Sequence, residues 1–223
     1  MVFSGRAFAV LWEKLALGAL PRALFQLSPG TTRAERAWAE HLAATELSGL
    51  GLGKGHPLDD EVVATLKLLA KPEVECYGWL VPAGGSPVGV LGAQSARQAV
   101  LAWQDPPVVE LMPVEPGELP RVVAYQLPPL PPASRQVVLA QHTVQAFEYA
   151  VRDAVAGHGQ LFAAVRDRLG RRRQQDSGIE YVDTAHERWL LRRDCGVTTA
   201  VPGTVDAIAA ELDRTVRKLG NIR

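Results

Sequence analysis

Apolar residues recur at helical spacing in the first part of the chain. Phe8, Leu11, Trp12 and Leu15 stand at positions i, i+3, i+4 and i+7, which places them on one face of a helix. This spacing predicts a first helix that ends before Pro21, because proline cannot donate the next helical hydrogen bond. The apolar stripe requires a partner surface within the fold.

A capping signal predicts the second helix. Thr32 is followed three residues later by Glu35, the arrangement of a capping box. The helix that it opens is expected to bury Trp38 and Leu42. The residues between the first two helices, 24–27, are interpreted as a short strand.

The third helix follows a glycine-rich connection at residues 51–55. Asp59 is expected to cap this helix, and Pro72 lies just beyond its end. Its inward side is expected to carry Val62, Val63, Leu66 and Leu69. The first third of the chain is therefore predicted to be mainly helical.

From Glu73 the apolar pattern changes to a period of two, which is typical of a strand. Both sets of alternating residues are largely apolar, so this first strand is expected to be covered on both faces. The sequence PAGGSP at residues 82–87 is a turn by composition. Short turns between the later candidates predict an antiparallel meander. These candidates are residues 88–94, 98–104 and 108–114, followed by a short helix at residues 119–126.

The prolines within residues 128–132 predict a stiff extended linker. Ser134 is then expected to open a long helix that includes Phe147 and ends at the glycines near His158. The remaining predicted elements are four strands, at residues 161–168, 178–184, 187–193 and 197–201, and a terminal helix that begins at Thr204.

These elements predict an α+β fold with a central antiparallel sheet. Two halves, residues 1–127 and 134–223, each place helices around a set of strands. Neither half covers its own sheet, so we expect a single domain over residues 1–223 with approximate two-fold organisation.

Composition narrows the functional classes. The 223 residues are 47% hydrophobic and 22% charged, which is typical of a globular chain. Lys and Arg number 24, as do Asp and Glu, so no general positive field attracts nucleic acid. Cys76 and Cys195 lie far apart without metal-ligand spacing, which favours a reducing cytoplasm over a disulfide scaffold. No stretch reaches the ~18 apolar residues of a membrane span, so no membrane insertion is expected.

Catalytic and metal-binding motifs are missing from the pattern. The five histidines have no ligand spacing. Ser86 lacks the G-x-S-x-G context of a nucleophile elbow, and Gly84 and Gly85 lack the strand-to-helix context of a phosphate loop. We therefore expect no enzyme, metal or cofactor. The alternative is a small hydrolase-like enzyme whose site is assembled from distant residues such as Asp183, His186 and Cys195.

Basic and aromatic residues offer two further hypotheses. One segment is rich in arginine, and such a segment could contact phosphates. Asp167 and Asp176 lie among these arginines, and no aromatic residues interleave to stack bases. The arginines are Arg166, Arg168, Arg171, Arg172 and Arg173. Trp79 ends a strand beside the 82–87 turn, where partial exposure would suit a partner contact.

Four C-terminal segments have a recognisable order: GQLF at 159–162, VRDRLGR at 165–171, IEYVDT at 179–184 and RWL at 188–190. With the Leu-Trp helix, the capped second helix and AKPEV at 70–74, they resemble the EspG family of cytosolic chaperones of type VII (ESX) secretion in actinobacteria. The resemblance extends over nearly the whole chain. It implies a quasi-two-fold fold with N-terminal and C-terminal helical bundles beside the sheet.

The resemblance also implies a function. Such a chaperone binds the helical tip of a PE-PPE heterodimer or a related helical-hairpin client, keeps the client soluble and targets it for export. In the family, the loop between the second and third strands and the C-terminal helical region contribute to this contact. The corresponding residues here are Pro82, Ala83, Gly84, Gly85, Ser86, Pro87, Ile208 and Leu212, and Trp79 beside the loop is a further candidate from its position. We expect a cytoplasmic monomer or weak homodimer.

Overall fold

The computed structural model of the chain describes residues 1–24, 31–49 and 60–221. Within these ranges, the chain has six helices and eleven strands. In order they are β1 (Val2–Ser4), α1 (Gly5–Lys14), α2 (Arg33–Gly49), α3 (Asp60–Ala70), β2 (Val74–Val81), β3 (Val88–Gln94), β4 (Ala99–Asp105), β5 (Val108–Val114), α4 (Leu119–Ala124), β6 (Val137–Leu139), α5 (Val144–Val151), β7 (Gly157–Arg166), β8 (Arg172–Gln174), β9 (Ile179–Asp183), β10 (Arg188–Asp194), β11 (Val197–Pro202) and α6 (Val205–Gly220).

The strands form one antiparallel sheet. Its order is β1-β5-β4-β3-β2-β7-β9-β10-β11-β6, and the short β8 pairs with β7. At its centre β2 and β7 pair from Val74 opposite Val165 to Val81 opposite His158. This large sheet with its helices confirms the predicted α+β fold class.

Different helices cover the two faces of the sheet. Tyr77 and Trp79 of β2 belong to the core that α1, α2 and α3 close, and we call this side the front face. Cys76 and Leu80 point to the back face, where α4 and α6 close a second core. A third core lies on the front face farther along the sheet, where α5 packs on Trp189 of β10.

Most elements of the first half agree with the sequence predictions. The strands predicted at residues 88–94 and 108–114 match β3 and β5, and the turn at 82–87 joins β2 to β3. The capping box is also confirmed. Thr32 Oγ1 accepts a hydrogen bond from Glu35 N at 3.1 Å, and Glu35 Oε2 accepts one from Thr32 N at 3.0 Å.

The long helix expected from Ser134 is wrong. Its first part is β6, which lies at the sheet edge with Val137 opposite Ala200 of β11. Thr143 then caps the eight-residue α5, because its Oγ1 accepts a hydrogen bond from Ala146 N at 3.1 Å. Hydrogen bonding to the open sheet edge decides the conformation of β6, so tertiary contacts override the helical pattern.

The prolines do not form a free linker. The backbone N of Arg188 donates to the carbonyl of Pro131 at 2.8 Å, and its Nη2 donates to the carbonyl of Pro128 at 2.8 Å. The extended segment is therefore fastened along β10 as it crosses between the halves.

Other differences concern short or exposed features. The strands β1 and β8 have three residues each, too few to show a period. Trp38, expected to be buried, is 62% exposed, because α2 turns only Ala39, Ala43 and Leu47 inward. The strand expected at 24–27, apart from residue 24, and the Asp59 cap lie outside the described residues.

Candidate functional site

A cleft of about 450 Å³ opens on the front face between the centre of the sheet and α5. Most of its lining is apolar and comes from several elements: Trp79, Val81, Leu139, Val144, Phe147, Val155, Val182 and Leu191. The polar lining side chains are His142, Thr143, His158, Gln160 and Glu180. An apolar concavity with a few polar groups is the usual form of a binding site.

Strand register builds the floor of this cleft. Trp79 lies opposite Gln160, Gln160 lies opposite Glu180, and Glu180 lies opposite Leu191, so one row crosses four strands. Side chains of one row point to the same face of a sheet. The neighbouring row adds Val81, His158 and Val182.

One wall of the cleft is α5. The Thr143 cap starts this helix, and Phe147 fixes it by an edge-to-face contact with Trp189 at 5.9 Å between ring centroids. Val144, in the first turn, stays 56% exposed at the cleft. An eight-residue helix thus provides both a buried anchor and an accessible apolar side chain.

Trp79 lies between the cleft and the core that α1, α2 and α3 close on the front face. Its ring meets those of Tyr77 at 6.2 Å and Phe162 at 6.1 Å, both edge on. Tyr77 and Phe162 stack on one another at 5.4 Å. The indole is therefore held on one side and partly exposed on the other, which agrees with the exposure expected from the sequence.

A polar cluster lies in the floor of the cleft. Glu180 Oε1 accepts a hydrogen bond from Gln160 Nε2 at 2.9 Å, and Glu180 Oε2 lies 2.8 Å from His142 Nε2. His142 Nδ1 is 3.4 Å from the hydroxyl of the buried Thr198. These contacts hold the carboxylate in a fixed position.

The predicted contact loop, residues 82–87, leaves β2 directly after Val81 of the cleft. Ala83, Gly84, Gly85, Ser86 and Pro87 are all exposed, and Pro82 is partly buried. Gly84 has φ +64°, a conformation that favours glycine. The loop thus presents a small, uncharged surface close to one end of the cleft.

Two of the expected contact residues lie elsewhere. Ile208 and Leu212 of α6 are 0% exposed and pack in the back-face core with Leu119 and Val123 of α4. The chain itself covers both side chains in this conformation, and their contact with a partner stays a prediction. Their helical spacing marks the buried face of α6.

The residues of the enzymatic alternative do not converge. Asp183 and His186 lie before β10 and Cys195 follows it, so strand geometry separates them by roughly 20 Å. The Asp183 carboxylate is occupied by Arg188, with two contacts of 2.7 Å. Cys76 is fully buried, and burial raises the pKa of its thiol. Asp183, His186 and Cys195 therefore do not form a nucleophile, base and acid arrangement.

The arginine-rich segment forms the β7–β8 hairpin, where carboxylates neutralise much of its charge. Arg171 and Arg173 lie 2.9 and 3.6 Å from Asp167 Oδ2. Arg172 pairs with Glu75 and lies over the Tyr77 ring at 5.4 Å. These local pairs favour a structured surface hairpin over a phosphate-binding patch.

The described residues contain neither a metal-binding cluster nor a membrane-spanning helix. Within residues 1–24, 31–49 and 60–221, no group of three or more His, Cys, Asp or Glu residues could hold a metal ion. No helix in those ranges has the length and apolarity needed to cross a bilayer.

Sequence reasoning found Trp79 but missed the α5 wall and the Glu180 cluster. For α5, a local signal was available. Thr143 is a favoured capping residue directly before apolar Val144, and it could have marked a helix start there. The approach of Glu180 to Gln160 depends on the pairing of β7 with β9, which no local pattern reveals.

Fold and site define an α+β protein with an open apolar cleft on one face of a large antiparallel sheet. The chain belongs to the EspG family, whose sequence profile matches residues 4–214. Its fold is similar to that of the Mycobacterium tuberculosis type VII secretion system chaperone EspG5, solved in complex with the PE25-PPE41 dimer. That match has a TM-score of 0.71 and 14% sequence identity, and covers 98% of this chain and 96% of the other. No curated protein matches the sequence.

Proposed function

We propose that this chain is a chaperone of a type VII secretion system that binds the helical tip of a PE-PPE-type client. The observation that carries the proposal is the cleft of about 450 Å³ on the front face, lined mainly by apolar side chains. Membership of the EspG family and the fold shared with a chaperone of that system support it.

The cleft suits a helical tip in size and chemistry. A hairpin tip exposes one or two apolar side chains that would otherwise drive self-association. Trp79 and the exposed Val144 offer apolar surface around a concavity, and such pockets usually receive the side chains that dominate binding energy. A partly exposed site permits release at the secretion machinery, since affinity is tuned mainly through dissociation.

The loop at residues 82–87 is proposed as a second contact. It begins directly after Val81, which lines the cleft, and its first residues pack beside Gly157 of β7. Because the loop carries no charge, its contribution is shape and backbone hydrogen bonding. A client seated in the cleft would extend over it.

We also propose that residues 1–223 form one quasi-two-fold domain with helical bundles in both halves. The strand order supports this, since β1-β5-β4-β3-β2 on one side of the centre corresponds to β6-β11-β10-β9-β7 on the other. Both series begin with a three-residue edge strand followed by a helix. The antiparallel β2–β7 pair would lie at the pseudo-axis.

A non-enzymatic role in the cytoplasm completes the proposal, with the chain acting as a monomer or weak homodimer without a cofactor. Binding alone suffices for such a role, because it covers the client's apolar tip and presents the complex for export. The separation of Asp183 and His186 from Cys195 supports it over the hydrolase alternative.

Co-expression with each PE-PPE pair of the source genome tests the function. We expect a complex of one chaperone and one heterodimer by size exclusion and mass spectrometry. Val144→Asp places a charge at the cleft and should abolish the complex, whereas Val138→Asp is the matched control, since Val138 is 65% exposed on β6 and does not line the cleft. Ser86→Glu should weaken the complex without unfolding the chain.

Two results would overturn the proposal. One is a failure of every such pair to form a complex with the wild-type chain. The other is a complex that tolerates Val144→Asp as well as it tolerates Val138→Asp, which would exclude the cleft as the contact.

A further inference from the structure

Glu180 introduces a carboxylate into a cleft whose other walls are largely apolar. It is the one Asp or Glu among the described residues that line the cleft, and its side chain is 24% exposed. A carboxylate shielded from water requires charge compensation or several hydrogen bonds. The contacts within the chain supply these only in part.

The partners of Glu180 leave acceptor capacity unused. Gln160 and His142 each provide one contact, whereas a carboxylate can accept about four hydrogen bonds. Among the described residues, no Lys or Arg forms a salt bridge with Glu180. The carboxylate therefore keeps acceptor positions open to the cleft.

A second carboxylate of this chain has its charge compensated by arginine side chains. Glu211 of α6, on the back face, has a side chain that is 20% exposed and pairs with both Arg192 and Arg214. Glu180 has a comparable exposure but no guanidinium partner in the described residues. The difference between the two points to a cation that is supplied by another molecule.

We propose that Glu180 determines client specificity by pairing with a lysine or arginine within one helical turn of the client's apolar anchor. This inference rests on the proposed function of the cleft. Trp79 and Glu180 are two strand spacings apart, about 10 Å, a span that an anchor and a neighbouring long basic side chain can bridge. A tip that carries an acidic residue there is rejected, because two carboxylates would be brought together in a dry site.

A displayed library tests this specificity. The probe is a two-helix hairpin scaffold with six randomised tip residues, selected against the purified full chain. We expect selected tips to combine an aromatic or aliphatic residue with Lys or Arg, and to lose binding to the Val144→Asp chain. Glu180→Gln should weaken the basic tips about tenfold, which corresponds to ~1.4 kcal/mol, and leave neutral tips unchanged.

Two further variants complete the test. Glu211→Gln is the matched control and should leave the basic preference intact. Glu180→Lys should change the preference to Asp or Glu. Thermal unfolding of each variant verifies that the chain is folded.

The outcomes separate this inference from the function on which it rests. Tips that depend on Val144 but show no basic preference, or keep it in Glu180→Gln, would overturn the specificity role and leave the cleft as the client site. Failure to select any tip that depends on Val144 would contradict both.

Discussion

The two parts of the front face differ in how completely helices cover them. Over β3, β4 and β5, the helices α1, α2 and α3 close a core in which Leu91, Ala102 and Leu111 are almost fully buried. Over β9, β10 and β11 the eight-residue α5 covers Trp189 and Ala200, and the cleft remains between α5 and the sheet centre. A short helix on a wide sheet leaves apolar surface that a partner can cover.

The open part nevertheless has a rigid base. Arg188 is fully buried, its guanidinium contacts Asp183 at 2.7 Å, and it also bonds to the carbonyl of Pro128. These contacts fix the proline-rich segment at residues 128–132 and the β9–β10 hairpin beneath the cleft. These polar contacts stabilise the open part of the sheet, whereas packing of three helices stabilises the closed part.

The largest expected effect comes from removing this base. Arg188→Ala leaves the Asp183 carboxylate buried without its partner, so we expect the free energy of unfolding to fall by about 3–5 kcal/mol. Urea unfolding followed by circular dichroism measures it. A loss no greater than that of an exposed pair such as Arg214→Ala would mean that the open part does not depend on Arg188.

The next prediction compares the loss of stability from an apolar residue in the closed part with that from one at the cleft. Leu66 of α3 is 0% exposed in the closed core, so Leu66→Ala should lower the free energy of unfolding by about 2–5 kcal/mol. Val144→Ala, at the cleft, should change it by less than ~0.5 kcal/mol. Equal losses in urea unfolding would contradict the distinction between the two parts.

The smallest effect concerns the capping box at the start of α2, on the closed side. Backbone hydrogen bonds from Thr32 and Thr31 lower the pKa of Glu35 from 4.5 to about 2. Since the folded pKa is below the unfolded one, the stabilisation is present above pH 4.5 and is lost as the pH falls towards 2. Glu35→Gln should be slightly less stable than wild type at pH 6, and the difference should shrink by pH 3.

Urea midpoints for both proteins at pH 6, 4 and 3 measure this effect. Glu40→Gln, on the same helix and without a resolved capping contact, is the control. A difference that stays constant across this pH range would contradict a role for the Glu35 charge.

Local patterns predicted much of the sheet and only one side of the cleft. The strands 88–94 and 108–114 were predictable because alternation and turn residues are local signals. The region from Ser134 to Val155 was not, because β6 obtains its hydrogen bonds from β11, which lies about 60 residues later in the chain. Trp79 could be singled out by its position beside a turn, whereas Glu180 reaches the cleft only through the pairing of β7 with β9.

Ile208 and Leu212 show what periodicity leaves undecided. Their periodicity predicted an amphipathic helix correctly, but the same apolar face that suggested a partner surface is used by the chain's own sheet. An apolar stripe identifies what must be buried and leaves open whether the covering surface is internal or belongs to a partner.

Hydrogen–deuterium exchange of the chain alone and in the proposed complex with a PE-PPE pair tests the central claim most directly. The account predicts slower exchange in α5, in the residues from His142 to Val144 that precede and begin it, and at the end of β2, with α4 and α6 unchanged. Protection confined to α4 and α6 would contradict it, because the client would then lie on the back face.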